Sequence, residues 1–243
     1  MGIERERKDF LKPGTIKQMI YPSRCPMCDI ALKPGTEGFC QKCFSQLSFI
    51  EKPVCEKCGR PVSDGNVFCG DCLVTAHEFE AGRFVFSYEQ MAGSIYRFKY
   101  MNRPAYAKTY ALETVKRLSG WLDEMSPDAF IPVPLFKKRL IERGYNQSEE
   151  LAKALSKLTH IPTMAHTVER IRNTQPQKLM GIEGRRINVK KAFIVKENVV
   201  KLTTVVIVDD IFTTGSTIDS LAAELKANGV KHVFFLTISG AGT

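Results

Sequence analysis

The chain has no apolar run approaching the roughly 18 residues that a membrane-spanning helix needs. Its opening residues, Met1-Gly2-Ile3-Glu4-Arg5-Glu6-Arg7-Lys8, are charged where a secretory leader turns apolar. Both absences point to a cytoplasmic protein with no membrane span. Cysteine is missing from residues 73–243, although the chain has 8 in all. No recognition-helix pattern of a DNA-binding regulator is present. Little chain remains beyond the last expected strand, only Ser239 to Thr243.

All the cysteines fall in four C-x-x-C pairs, Cys25/Cys28, Cys40/Cys43, Cys55/Cys58 and Cys69/Cys72. A two-residue gap lets both sulfurs of a tight turn reach one tetrahedral ion, and two such turns complete a structural zinc site. Disulfides would need an oxidising compartment, and redox C-x-x-C motifs do not come four in a row. The segment is also a duplication, since Cys25-Pro26-Met27-Cys28 to Phe39-Cys40-Gln41-Lys42-Cys43 recurs as Cys55-Glu56-Lys57-Cys58 to Phe68-Cys69-Gly70-Asp71-Cys72. Duplication favours two zinc ions closed in sequence. An interleaved cross-brace, first pair with third and second with fourth, is compatible with the spacing. Such a ribbon has almost no core of its own and should depend on metal. We expect it to occupy residues 1–76, ahead of an α/β domain over 77–243.

The formal net charge is +9 and suggests an acidic partner such as nucleic acid. Eight thiolates holding two divalent ions would bring it to about +5, a moderate basic excess.

Beyond His77 the composition alternates between strand and helix signals. Strands are expected at Phe84–Phe86, Phe130–Pro134, Val168–Ile171, Ala192–Val195, Val205–Val208 and Val233–Ile238. Helices are expected at Met91–Tyr100, Arg103–Trp121, Asn146–Leu158 and Thr217–Asn228, the last capped by Ser216. Alternation of this kind implies a parallel sheet with right-handed crossovers.

The most informative stretch is Val205-Val206-Ile207-Val208-Asp209-Asp210-Ile211-Phe212-Thr213-Thr214-Gly215-Ser216-Thr217. An unbroken β-branched run suits a strand covered on both faces, and the loop after it lies at the carboxyl end of that strand. There the amides of Thr213, Thr214, Gly215, Ser216 and Thr217, with the helix dipole, can receive a phosphate. Asp209 and Asp210 can accept hydrogen bonds from two neighbouring ribose hydroxyls. These thirteen residues resemble the phosphoribosyl pyrophosphate (PRPP) motif of type I phosphoribosyltransferases, with Phe212 where those enzymes carry an aliphatic residue. The resemblance implies a type I phosphoribosyltransferase-like parallel sheet flanked by helices, and Mg²⁺ accompanying PRPP.

Three basic patches extend the likeness: Arg97-Phe98-Lys99-Tyr100, then Lys137 to Arg143-Gly144-Tyr145-Asn146-Gln147, and Arg172-Asn173-Thr174-Gln175-Pro176-Gln177-Lys178 with Arg185 and Arg186 beyond it. With the four C-x-x-C pairs ahead of them they resemble the ComF family over nearly the whole chain. Asn102 replaces a usual Gly, and Asn tolerates positive φ better than most residues. The family likeness implies natural competence and the handling of single-stranded DNA entering the cytoplasm.

Arg139 and Arg143 lie four apart, so on a helix or tight turn both can converge on pyrophosphate, with Lys99 beside them. Segment 172–188, carrying Arg172, Lys178, Arg185 and Arg186, reads as a lid over PRPP or over a DNA backbone. Tyr100 and Tyr145 are candidates for base stacking. Three functions are compatible with these features. One is a DNA-uptake factor that keeps a PRPP site. Another is an active phosphoribosyltransferase that uses Asp209 and Asp210 and acts on a small amine or nucleobase. The last is a PRPP-responsive regulator. Whether the ribbon touches DNA, a helicase-like uptake protein or its own chain is open at this level.

Overall fold

The computed structural model of the chain describes residues 22–172, 192–196, 199 and 201–241. Two short helices, Gln41–Phe44 (α1) and Gly70–Val74 (α2), belong to the cysteine-rich segment. Then come Gly82–Ser87 (β1), Tyr88–Tyr100 (α3), Tyr106–Met125 (α4), Ala129–Pro132 (β2), Lys137–Arg143 (α5), Gln147–Thr159 (α6), Val168–Arg170 (β3), Phe193–Val195 (β4), Thr204–Phe212 (β5), Ser216–Ala227 (α7) and His232–Gly240 (β6).

Four of the strands form a parallel sheet in the order β1-β6-β5-β2. β5 lies inside it with neighbours on both sides, which is why Val205 to Val208 are apolar without alternation and fully buried. Pairing continues past the carboxylates, with Asp209 opposite Thr237 and Phe212 opposite Gly240, because β6 runs on to Gly240. The strand therefore ends four residues later than its apolar run. β3 and β4, the strands flanking the polar segment, pair with each other antiparallel in a separate two-stranded sheet.

Helix boundaries shift where caps decide them. Asn146 accepts from the Ser148 amide at 3.1 Å and starts α6. α7 begins at Ser216, one residue earlier than a Ser216 cap implies, because Gly215 takes the cap position at φ 80°. Few side chains accept that left-handed backbone, and a Cβ there would also sit 3.2 Å from both His77 and Phe212. Asn102 has φ 50°, the conformation anticipated for the residue replacing Gly.

The cysteine segment departs from the picture of a ribbon with almost no core. Cys25, Leu32 and Phe39 are buried in one cluster with Phe86, Phe98, Tyr106 and Tyr110. Cys55 and Cys58 are buried in the other, on the opposite face of the sheet, with Phe79, Phe84, Phe212 and Phe235. Polar bonds fix the same seams. Arg97 donates to the carbonyls of Pro26 and Met27, and Ser94 to that of Pro26 at 2.7 Å. Arg103 grips Asp29 with two hydrogen bonds at 2.9 and 3.0 Å and holds its carboxyl down to about 2. On the second repeat, the Gly82 amide donates to the Lys57 carbonyl at 2.8 Å and Arg83 pairs with Glu56 at 2.7 Å. The two knuckles thus complete the interior of the α/β domain.

Candidate functional site

The cysteines gather as Cys25, Cys28, Cys40, Cys43 and as Cys55, Cys58, Cys69, Cys72, the sulfurs of each set lying within 4.8 Å of one another. This is sequential closure; the cross-brace is not formed. Sulfurs bound tetrahedrally at about 2.3 Å stand about 3.8 Å apart. Cys28–Cys40 and Cys58–Cys69 measure 3.8 and 3.6 Å, close to that separation. The Cys40 amide donates to the Cys25 sulfur at 3.3 Å, the kind of bond that steadies a thiolate ligand. Both sets are therefore suited to hold structural zinc, each ion closing its own knuckle.

At the carboxyl end of the parallel sheet, Asp209 and Asp210 project from β5 toward α6 and α3. Asp209 Oδ1 accepts from the Ser148 hydroxyl at 2.8 Å and from the Asp210 amide at 2.9 Å. Ser148 is placed by the cap of α6, and that cap is itself tied down, since the Asn146 side chain donates to the Val133 carbonyl at 3.0 Å. Asp210 is buried and forms an ion pair with Lys99 at 2.9 Å. Charge alone suggests Lys99 for pyrophosphate; among the described contacts it neutralises one of the two carboxylates instead. The other is left with a charge that burial disfavours. Desolvation, then the neighbouring Asp210 carboxylate, push Asp209 up to about 7, against the opposing pull of the Ser148 hydroxyl and Lys99.

Linkage gives the sign of the consequence. A carboxyl that binds its proton more tightly folded than unfolded contributes stability at low pH and loses it as pH rises through about 4 to 7. We therefore expect Asp209→Asn to gain thermal stability relative to the parent at pH 8, to keep much of that advantage at pH 6, and to lose most of it by about pH 4.5, so the pH values compared are 8 and 4.5. Melting curves of both proteins at the two pH values check this, because effects of pH on other groups cancel in the difference. An equal gap at both pH values would contradict it.

After the carboxylates the chain leaves β5 through Thr213 and Thr214, both exposed, and enters α7 at Ser216. The first amides of a helix lack intrahelical acceptors, and a twelve-residue helix places its positive end there. Thr214 Oγ1 donates to the Ser216 hydroxyl at 3.2 Å, tying the turn internally. Asp209, Asp210 and the 213–217 turn are thus contiguous, in the arrangement the sequence suggests.

Lys99, Tyr100, Asn102, Arg139, Arg143 and Tyr145 line one cleft of about 1030 Å³. α5 is a true helix, so the spacing of four does bring Arg139 and Arg143 to a common wall. Arg143 stacks over the Tyr100 ring at 4.8 Å, donates to the Tyr100 hydroxyl at 3.0 Å and to Gln147 at 2.7 Å. Tyr145 is half-buried, its hydroxyl donating to the Phe98 carbonyl, whereas Tyr100 is 58% exposed. Tyr96 is 59% exposed one turn earlier, with its ring centroid 5.1 Å from that of Tyr100. Arg172 is exposed just past β3; Lys178, Arg185 and Arg186, with the expected lid, lie outside the described residues.

Two site residues are not legible in the sequence. Arg170 sits close enough to Asp209 and Arg139 to feel both charges, and burial lowers its pKa. Ser148 lies 61 positions from the carboxylate it bonds. Only its place two residues after a helix cap offers any signal.

Residues 16–73 match the Double zinc ribbon domain family. Competence protein F of Haemophilus influenzae is 32% identical over 216 residues, covering 86% of this chain and 93% of that protein. DNA utilization protein YhgH of Escherichia coli K12 is 32% identical over 222 residues, covering 88% and 96%. Competence protein ComFC of Bacillus subtilis is 30% identical over 208 residues, covering 82% and 81%. A purine phosphoribosyltransferase from Pyrococcus horikoshii Ot3 aligns over 55% of this chain and 86% of that one, at 18% identity and a TM-score of 0.31. The fold rests on the β1-β6-β5-β2 strand order and not on that overlap.

Proposed function

The chain belongs to the ComF family of competence and DNA-utilization proteins, and from that premise we propose that it handles incoming single-stranded DNA on the cytoplasmic side and binds PRPP at the carboxyl end of β5. The observation that carries the PRPP reading is the unbroken order of carboxylate pair, hydroxyl-rich turn and helix start, all at the edge where open α/β sheets take ligands. Asp209 and Asp210 would accept from the ribose hydroxyls, the amides from Thr213 to Thr217 would hold the 5-phosphate, and Arg139 and Arg143 would face the pyrophosphate. Mg²⁺ bound with PRPP would neutralise pyrophosphate charge. On binding, Lys99 is the residue with a choice: it can stay on Asp210 or move into the cleft it already lines.

For the nucleic acid, support comes from the exposed rings of Tyr96 and Tyr100 beside Arg143 and Arg139. Stacked bases are sequence-tolerant partners for such rings, and each is worth about 1–3 kcal/mol. We expect single strands to bind in preference to duplex, with affinity falling as salt rises. Tyr96→Ala and Tyr100→Ala should each weaken binding by roughly 5- to 150-fold in a fluorescence anisotropy titration. Undiminished binding by both variants would remove these rings from the interface.

A second reading, transfer of the phosphoribosyl group to a small amine or base, draws on one observation. A carboxyl poised near neutrality is suited to take a proton from an attacking N–H as the C1–oxygen bond breaks and its electron pair leaves with pyrophosphate. Pyrophosphate release over a panel of amines and bases tests it, and release with none would leave binding alone.

A further inference from the structure

The second zinc repeat reaches the turn that would hold the phosphate. Arg60, which lies between Cys58 and Cys69, has its guanidinium 5.6 Å from the centroid of the Phe212 ring and largely buried. One of its nitrogens donates to the Thr213 carbonyl and another pairs with Asp71 of α2. Its own carbonyl accepts from the Cys55 amide at 2.7 Å, so the residue is anchored in the metal-ligating knuckle. From the linker, His77 Nδ1 meets Asp219 Oδ2 at 2.8 Å and the Glu78 amide donates to Asp219 Oδ1 at 2.9 Å, holding the first turn of α7. His77 also supplies one of the atoms a side chain at Gly215 would strike. The turn is thus held from the ribbon on its first residue and from the linker on the helix it leads into.

We infer that Arg60 is a positioning residue for the 213–217 turn, and that the second zinc repeat is the part of the chain that fixes this turn in its receptive shape. The physics is directional. The Thr213 carbonyl is drawn toward the guanidinium on the ribbon side, so the same peptide's nitrogen side, the Thr214 amide, is turned the other way. A single planar peptide cannot rotate one end without the other. Phe212 is the aromatic departure from the aliphatic pattern, and it now has a reason: it stacks on Phe235 at 4.6 Å and presents its outer surface to Arg60. The function of this contact rests on reading the turn as a phosphate cradle, but its existence does not.

Hydrogen exchange on the ligand-free, zinc-loaded full chain separates the two. In Arg60→Ala, with two zinc ions per chain retained, amide exchange at Asp219 and Ala241, which donate to the Gly215 and Phe212 carbonyls on either side of the turn, should rise at least tenfold, while Val205 to Val208 in β5 stay protected. Asp71→Asn removes only the ribbon end of the bridge at a site 72% exposed, so it is safe for folding, and should give a smaller rise at the same amides. PRPP affinity should fall at least tenfold in Arg60→Ala. Unchanged exchange in both variants overturns the inference. Raised exchange with no PRPP binding by the parent protein would sink the PRPP reading and leave Arg60 as the support of the turn.

Discussion

Stripping zinc is expected to abolish the cooperative unfolding of the whole chain, and not only of its cysteine segment. Two knuckles with cores of their own could melt while the α/β domain stayed folded. Here Cys55 and Cys58 are packed among Phe79, Phe84, Phe212 and Phe235, and Cys25 among Phe86, Phe98 and Tyr110. Freeing either knuckle opens an interior face of the sheet. Structural zinc contributes on the order of 10–16 kcal/mol to small zinc domains near neutral pH, which matches or exceeds the roughly 5–15 kcal/mol of a typical folded protein. Cys58→Ser should therefore lower zinc content by one ion per chain and lower the melting temperature by well over about 10 °C. The check is metal analysis beside circular dichroism of the variant and of chelator-treated protein. A stripped chain that keeps its transition would show that the knuckles are ornaments on the domain.

The second large effect is loss of PRPP binding in Asp209→Ala with Asp210→Ala. Hydrogen bonds to a charged acceptor contribute about 1.5–3 kcal/mol each, so removing both carboxylates should weaken PRPP by about two to four orders of magnitude. The parent at a hundredfold excess over Kd should gain about 2.7 kcal/mol, or roughly 5–10 °C for a chain of this size, and the double variant at the same PRPP concentration should gain no more than about 0.4 kcal/mol. Folding is not a confounder of the expected kind. Asp209 is destabilising to the empty protein near neutral pH, because burial and the Asp210 charge raise its pKa, while the loss of Asp210 costs the Lys99 pair. These changes act in opposite directions. A melting curve of the unliganded double variant close to that of the parent would establish that the lost thermal shift is a lost ligand.

Features that the sequence discloses and features that it conceals divide by range. The cysteine pairs, the apolar run of β5 and the carboxylates beyond it are each written in a few consecutive residues, so local chemistry is enough to place them. The same holds for Arg139 and Arg143, whose spacing needs only one helix to be read. The concealed features are long-range. Ser148 bonds Asp209 across 61 positions, and Arg60 reaches Thr213 across 153. The ribbon looks coreless in sequence because its apolar residues are few; Leu32 and Phe39 join a cluster supplied by the α/β domain, with Phe39 set edge-on to Phe86 of β1. Charge alone aims Lys99 at an anionic ligand, but it does not disclose the ion pair with Asp210, 111 positions away. The helix cap moves from Ser216 to Gly215 because a left-handed turn is needed between β5 and α7, and backbone conformation outranks a good capping side chain.

The most direct test is calorimetric titration of the zinc-loaded chain with PRPP in the presence of Mg²⁺. The prediction is saturable binding at one site per chain that vanishes in the Asp209→Ala, Asp210→Ala variant. No heat and no thermal shift in the parent, or equal binding by the variant, would contradict a phosphoribose site at the end of β5.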